Sequence, residues 1–260
     1  MPGFWRGQYR ARLLFGWPAA AVLLLAACGL AVAHSLDHGA DRVKKGYDIR
    51  KSDLVPVYPE GFDCSPLTSL YASWTDVDGG DREEIHSGVD GGRLGEPILA
   101  PGPGTVRAVW ETNWQWGQEG ALLLSHSADE LNMPGTPPVY YTAYDHLRYD
   151  EIRHLKVGQK IARGQPLAHV YRPGGHTSFL PEVHWEVWEV GVDDLRWVTN
   201  RYGGREWRND TARLIDPLYM LGVNAPPRDG RSVRIVPFEP GAGYATFRGF
   251  TYIFGCRPHG

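Results

Sequence analysis

The chain has 260 residues, enough for one domain with a sizeable core and short extensions. Its 32 glycines, 20 prolines and 12% aromatic residues indicate many turns and short strands rather than long helices. The formal net charge is −3, and it becomes −6 without the first 27 residues, because these carry three arginines and no acidic residue. An acidic balance without a basic stripe argues against a nucleic-acid-binding protein.

The N-terminal segment has the pattern of an export signal. Three arginines precede an apolar run at 13–33, so we interpret residues 1–33 as a signal peptide, a lipoprotein signal or a membrane anchor. Three fates stay open: lipidation of Cys28 in a lipobox-like Leu-Ala-Ala-Cys, cleavage after Ala33, or an uncleaved span, which needs about 20 residues. Each fate exports the rest of the chain to the cell envelope, in the periplasm or on the outer surface. An anchor or lipoprotein attached to the membrane is favoured.

The remaining chain divides by composition. Residues 34–60 are polar and charged, and we expect a spacer with little structure of its own. The main domain is predicted at 61–222, followed by a C-terminal extension at 223–260 that packs on it. Outside the cytoplasm, Cys64 and Cys256 are expected to form a disulfide that joins the two ends of the domain. Two free buried thiols are the alternative, because the sequence does not give the distance between them.

Short apolar runs separated by turn residues begin at Leu67. Strands are predicted at 97–100, 105–110, 120–126, 139–144, 157–161, 164–168 and 183–190. No stretch before Val198 shows a long period of 3.6 residues, so the pattern predicts an antiparallel all-β domain. Further along, we expect a short helix at 210–214 and a last hairpin formed by 244–247 and 250–254.

The segment His86-Ser-Gly-Val-Asp90 is a candidate metal-binding motif. It places an imidazole and a carboxylate four residues apart, with a glycine between them, and zinc accepts both kinds of donor. A catalytic zinc needs three protein ligands and one open position. His184 is the strongest candidate for the third ligand.

A second candidate motif surrounds His184. The period of two in a strand puts Glu182, His184 and Glu186 on one face, with hydrophobic residues on the other. A single histidine on a strand is more often structural than a metal ligand, so the interpretation depends on its partnership with His86 and Asp90.

These motifs resemble, in order, those of the lysostaphin-like, LytM-type zinc metallopeptidases, the murein endopeptidases that cut bacterial cell-wall peptides. The similarity covers residues 67–222. The matching segments are His86–Asp90 for His-x-x-x-Asp, 95–100, 104–106, His126, 144–147 for Tyr-x-His-Leu, 157–161, 182–187 and 216–220. One position departs from the family pattern: Glu182 stands where the first histidine of the family's His-x-His motif is found.

The resemblance implies a fold, a cofactor and a substrate. The fold would be an antiparallel β-sandwich-like core of the LytM, or duplicated hybrid motif, type. The cofactor would be Zn²⁺ and the substrate a peptidoglycan peptide. Carried over by position, the metal ligands would be His86, Asp90 and His184. The catalytic residues, His146 and Glu182, would share proton transfer and oxyanion stabilisation around a zinc-activated water.

Glu182 leaves two functions in competition. A glutamate can take a proton from water, but it is not a cationic donor to a developing oxyanion. The chain is therefore either a peptidoglycan endopeptidase or an inactive zinc-binding domain that regulates or scaffolds another cell-wall hydrolase or a divisome partner. The presence of all three ligands and of His146 favours the enzyme. Glu186 is expected either to orient a ligand through a hydrogen bond or to be a solvated strand carboxylate.

Overall fold

The computed structural model describes residues 43–44, 47–75, 80–82, 85–114, 117–135, 137–172, 180–200 and 203–259. The predicted signal or anchor, including Cys28, lies outside these ranges. Within them, no helix is long and apolar enough to cross a membrane.

The described residues are mostly in strands. The strands are β1 (Val43–Lys44), β2 (Tyr47–Asp48), β3 (Val55–Val57), β4 (Phe62–Cys64), β5 (Leu67–Ser69), β6 (Val89–Gly91), β7 (Pro97–Leu99), β8 (Gly104–Trp114), β9 (Gly117–Ser127), β10 (Val139–Leu147), β11 (Lys160–Ile161), β12 (Pro166–His169), β13 (Val183–Val190), β14 (Arg196–Thr199), β15 (Arg205–Arg208), β16 (Ala212–Ile215), β17 (Ser232–Arg234) and β18 (Cys256–Pro258). Two short helices accompany them, α1 (Tyr149–Ile152) and α2 (Pro217–Gly222).

An eight-stranded sheet forms the centre of the fold. Its order is β11-β8-β9-β10-β13-β6-β5, and β16 pairs with the second half of β13. Every pairing in this sheet is antiparallel, which confirms the predicted all-β class. The four residues of the run 121–124 are 0% exposed, as expected for a strand buried on both faces. The predicted strands at 105–110, 139–144 and 183–190 lie within β8, β10 and β13.

Two predicted elements are wrong. Residues 212–215 form β16 rather than a short helix, because Ala212 and Leu214 alternate with more exposed residues and pair with β13. The predicted last hairpin does not form either. The aromatic residues of 250–254 are buried in the core instead, and the final strand is β18, which pairs with β4.

The segment expected to be a spacer carries more structure than predicted. The described part of residues 34–60 contains β1, β2 and β3, and the side chain of Ile49 is only 2% exposed. The strand β3 pairs in parallel with β17 from the C-terminal region. Pairing with a distant strand therefore orders a polar segment that has no hydrophobic pattern of its own.

A disulfide joins β4, near the start of the β-rich region, to β18, near its end. Cys64 and Cys256 are bonded across 192 positions of sequence, which confirms the predicted bridge. The two cysteines are also directly paired in the β4–β18 ladder. A cross-link closing so long a loop typically contributes about 2–5 kcal/mol to the free energy of unfolding.

The two faces of β13 have different roles. On one face, the Trp185 ring lies 6.3 Å from the ring of Phe250, within the hydrophobic core. The other face carries His184 and, four residues on, Trp188, whose ring lies 4.9 Å from that of Trp207 in β15. The β14–β15 hairpin therefore packs on the same face of the sheet that presents His184.

Candidate active site

Three polar side chains converge on one point on the face of the sheet that presents His184. The Nε2 atom of His86 lies 3.0 Å from Oδ1 of Asp90 and 3.1 Å from Nδ1 of His184. The third side of the triangle, from His184 Nδ1 to Asp90 Oδ1, is 2.8 Å. All three residues are buried, at 1%, 5% and 6% exposure. They are the residues predicted as metal ligands, and they form the group of potential metal ligands found among the described residues.

The backbone brings these side chains together. Asp90 is the central residue of β6 and is directly paired with His184 on β13, so the two side chains start from adjacent positions on one face. His86 lies in the loop before β6. A β-carbon on Gly88 would lie 2.3 Å from the carbonyl oxygen of Trp185, so only glycine allows this loop to approach β13 so closely.

The hydrogen bonds of His86 define which nitrogen faces the cluster. Its Nδ1 lies 2.8 Å from the carbonyl oxygen of Leu70, which can only accept a hydrogen bond. Nδ1 therefore carries the proton and Nε2 presents a lone pair towards Asp90. Burial also lowers the pKa of His86, which favours this neutral imidazole.

In His184 the two ring nitrogens have exchanged roles relative to His86. Its Nε2 lies 3.2 Å from Oε1 of Glu186, so Nε2–H donates to the carboxylate and Nδ1 faces the cluster. Glu186 is 0% exposed and also accepts hydrogen bonds from Ser87 Oγ at 2.6 Å and from Trp188 Nε1 at 3.0 Å. Glu186 is therefore the buried orienting group, not the solvated carboxylate that was the alternative.

Two imidazole lone pairs and a carboxylate oxygen thus face one another within about 3 Å. A cation between the three atoms, either a proton or a metal ion, would stabilise this arrangement. The second oxygen of Asp90 is already held, because Arg82 Nη2 donates to Oδ2 at 3.0 Å and also to Ser69 Oγ at 2.9 Å. A set of two nitrogens and one oxygen with ordered outer partners suits a catalytic zinc.

The electrostatics of the cluster also favour positive charge. Although burial favours the neutral acid, the neighbouring His86 and His184 hold the pKa of Asp90 well below its usual range. Burial opposes charge on His184 as well, but hydrogen bonds to Asp90 and Glu186 raise its pKa to about 9. A proton or a metal ion at this point would be stabilised by both carboxylates.

His146 borders the cluster from β10. Its ring centre lies 6.2 Å from that of His184. The β9–β10 register shifts between Tyr144 and Leu147, and His146 occupies this bulge in the left-handed region with φ of 60°. Its Nδ1 lies 2.7 Å from Oε2 of Glu119. Burial lowers the pKa of His146, but the Glu119 carboxylate outweighs it and the net shift is upward.

Glu182 immediately precedes the first residue of β13. Its backbone N–H donates to the carbonyl of Tyr171 at 3.1 Å, and the alternation of the strand directs its side chain to the same face as His184. Burial raises the pKa of Glu182 to about 7, and the negative charge of Asp90 adds to the shift. A carboxylate with this pKa can both accept and return a proton near neutral pH.

A groove of about 440 Å³ lies beside Glu119, the hydrogen-bond partner of His146. Its lining includes Glu119, Leu147, Arg148, Arg153 and Tyr171.

Comparison with known families identifies the domain. Residues 84–194 match Peptidase family M23. This part of the chain is similar to M23 peptidases. The resemblance to LytM-type peptidases is thereby confirmed, and the match supports a metallopeptidase class for this part of the chain. The matched range includes all five predicted site residues.

Solved structures give weaker similarity. A zinc-containing peptidase from Vibrio cholerae has 26% identity and a TM-score of 0.36, over 65% of this chain and 42% of the other. The catalytic domain of lysostaphin, an antimicrobial peptidase from Staphylococcus simulans, has 19% identity and a TM-score of 0.35, over 61% and 90%. For a mutant of the EnpA catalytic domain, a prophage-encoded M23 protein of Enterococcus faecalis, the values are 24% and 0.34, over 53% and 88%. No curated protein matches the sequence.

Two residues of the candidate site were not predicted from the sequence. Glu119, which bonds His146, starts from a Gly-Gln-Glu-Gly segment that carries no metal or catalytic pattern. Arg82, which bonds Asp90, lies in a charged stretch that reads as a solvated loop. His126, one of the matching segments, has a structural role, since it is 0% exposed and its Nδ1 lies 2.7 Å from the carbonyl of Pro103.

Proposed function

We propose that this protein is a zinc-dependent endopeptidase that hydrolyses peptide cross-links of bacterial peptidoglycan. The observation that carries the proposal is the convergence of His86 Nε2, Asp90 Oδ1 and His184 Nδ1, with His146 and Glu182 beside it. The match of residues 84–194 to Peptidase family M23 supports the metallopeptidase class.

The proposed ligands of the zinc ion are His86, Asp90 and His184. The donor set supports this assignment, because both imidazoles are tied through their outer nitrogens and present only their inner ones. When bound, zinc acidifies a coordinated water and polarises the scissile carbonyl.

The proposed catalytic pair is Glu182 and His146. Glu182 takes the proton released when water attacks the peptide carbonyl, for which a pKa of about 7 is well matched. His146 donates from Nε2 to the developing oxyanion or to the leaving amine, since its Nδ1 is bound to Glu119. This division gives the cationic role to the histidine and the basic role to the glutamate. It compensates for the missing first histidine of the family motif.

We further propose that the domain works in the cell envelope. The support is the apolar segment at 13–33 together with the Cys64–Cys256 disulfide, because structural disulfides persist in oxidising compartments. The substrate would be a peptidoglycan peptide, and the N-terminal segment would hold the domain at the membrane. A cell-wall hydrolase or a divisome protein is the proposed partner.

The competing proposal is an inactive zinc-binding domain that regulates another hydrolase. The observation that favours it is Glu182, because the family's first catalytic histidine is absent at this position. In that case, the cluster would bind zinc and stabilise the fold without turnover.

One experiment separates the two proposals. The full chain is purified in detergent, its zinc content is measured, and release of cut cross-links from peptidoglycan is followed before chelation, after chelation and after zinc is restored. We expect one zinc per chain and release that disappears and returns with the metal. Stoichiometric zinc without release from several wall types would favour the regulatory domain, and absence of zinc would contradict both proposals.

A further inference from the structure

We propose that Glu119 and Tyr171 are positioning residues for His146. In this arrangement the Glu119 carboxylate holds the imidazole by Nδ1 and directs Nε2 at the substrate, and the Tyr171 hydroxyl holds the carboxylate. The inference rests on the proposed peptidase function, and it adds two residues to the site that neither the family match nor the motif pattern assigns.

The contacts form a chain of three side chains from separate parts of the fold. The Glu119 side chain is completely buried, and its Oε2 lies 2.7 Å from His146 Nδ1. Its other oxygen, Oε1, accepts a hydrogen bond from the hydroxyl of Tyr171. Burial of a carboxylate is unfavourable unless it is paired and hydrogen-bonded, and here each oxygen has its own partner. The carboxylate therefore has a defined orientation.

The backbone shows why His146 needs such a partner. It lies in a β-bulge with a left-handed φ of 60°, a conformation that costs energy in a residue with a β-carbon. The bulge turns the histidine out of the regular alternation of β10, so the sheet itself does not fix its side chain. Glu119 reaches it from the adjacent strand β9, where Gly120 is paired with Leu147 just beyond the bulge.

The chemistry required of His146 depends on which nitrogen carries a proton. A carboxylate at Nδ1 selects the tautomer with the proton on that atom and stabilises the imidazolium that forms when Nε2 gains a proton, as in hydrolases that pair histidine with a carboxylate. The ionisable neighbours of His146 come from three strands. They are Glu119 on β9, Asp145 on β10, His184 on β13 and Glu182 just before β13. Among these, Glu119 is bonded to the ring nitrogen opposite the reacting one.

Tyr171 connects this chain to the groove. It lines the groove together with Glu119, and its backbone carbonyl accepts the hydrogen bond from Glu182 N–H. Tyr171 is thus connected to both proposed catalytic groups. Its hydroxyl reaches His146 by way of Glu119, and its main chain bonds Glu182 directly. A displacement of Tyr171 would therefore disturb both.

The test uses the full chain in detergent and three variants. Glu119→Gln keeps the size of the side chain and removes its charge, and Tyr171→Phe removes the hydroxyl. Glu189→Gln is the matched control, because Glu189 lies on β13 but on the opposite face from His184. Zinc content and melting temperature are measured for each protein. The kcat, the KM and the pH profile of kcat on a soluble cross-linked muropeptide are then compared with wild type.

We expect Glu119→Gln to retain zinc and to lower kcat by about tenfold or more with little change in KM, and to displace the pH profile. Tyr171→Phe should have a smaller effect in the same direction, and Glu189→Gln should behave as wild type. Retention of the wild-type kcat and pH profile in Glu119→Gln would overturn the inference. Loss of zinc or a large fall in melting temperature would instead assign Glu119 to the fold, which also overturns it.

A second measurement does not depend on turnover. The nitrogen chemical shifts of ¹⁵N-labelled histidine in the zinc-loaded protein report the tautomer of each ring. We expect His146 to carry its proton on Nδ1 in wild type and to lose this preference in Glu119→Gln. If wild type cuts no substrate, the proposed function fails while this result still decides the inference, since identical His146 signals in the two proteins would contradict it.

Discussion

Two histidines in this site have the same kind of partner and different surroundings. His184 and His146 are each bonded to a buried glutamate, Glu186 and Glu119 respectively. In His184 the bonded atom is Nε2, and Nδ1 lies 2.8 Å from Asp90 Oδ1 and 3.1 Å from His86 Nε2. In His146 the bonded atom is Nδ1, and the ring stands 6.2 Å from that of His184.

The difference shows that an imidazole–carboxylate pair does not by itself define a metal ligand. The pair orients the ring and selects a tautomer in both cases. What distinguishes His184 is the convergence of its second nitrogen with Asp90 and His86. His146 lies beside the cluster but outside that triangle, which suits proton transfer. Variants at the two histidines should therefore separate metal binding from catalysis.

The largest effect is expected for His184→Ala. It removes one of the three proposed ligands and leaves two carboxylates without their imidazole partner, so zinc and essentially all hydrolysis should be lost. Metal analysis and muropeptide release check this result. His154→Ala is the control, because His154 is exposed and remote in sequence from every proposed ligand. Full zinc occupancy in His184→Ala would contradict the assignment of the cluster.

His146→Ala should separate the two functions. We expect zinc to be retained and kcat to fall by about 10²- to 10⁴-fold, the usual contribution of a general acid or base. Equal loss of zinc and activity, as in the His184 variant, would place His146 in the metal cluster and remove the contrast between the two histidines.

Glu182 tests whether the second catalytic position is basic. Glu182→Gln should lower kcat by about 10²-fold or more with zinc retained, because an amide cannot take the proton from water. Glu182→His should retain activity, since an imidazole can accept the same proton. Collapse of turnover in Glu182→His would show that the carboxylate itself is required. Wild-type activity in Glu182→Gln would exclude the residue as the base.

The smallest effect is expected at the outer partners of the ligands. Glu186→Gln and Arg82→Gln should each weaken zinc binding by about 10- to 100-fold without abolishing it. Glu186 orients His184 through Nε2, and Arg82 holds the Oδ2 atom of Asp90. Competition with a chromogenic zinc chelator measures the affinity. Unchanged affinity in both variants would mean that the outer hydrogen bonds do not tune the site.

Much of the fold could be predicted because the longest strands carry a readable pattern. The strand at 183–190 alternates polar and apolar side chains over 183–187, and the run at 121–124 is continuously apolar. The errors fall where pairing partners are remote in sequence. Ala212–Ile215 becomes a strand through β13, and Val55–Val57 through Ser232–Arg234. A short segment gives no local sign of such a partner.

For the site, the sequence determined the types of candidate ligand and the motif spacing: an imidazole and a carboxylate at His86 and Asp90, and an alternating Glu182, His184 and Glu186. These follow from local periodicity and from the donor chemistry of the side chains.

Only the tertiary structure decided which nitrogen of each imidazole faces the cluster and which buried carboxylate supports it. Glu119 is 27 positions from His146 and lies beside it only because β9 and β10 pair and β10 contains a bulge. Hydrogen-bond partners of this kind depend on strand register, and the packing of the whole sheet sets that register.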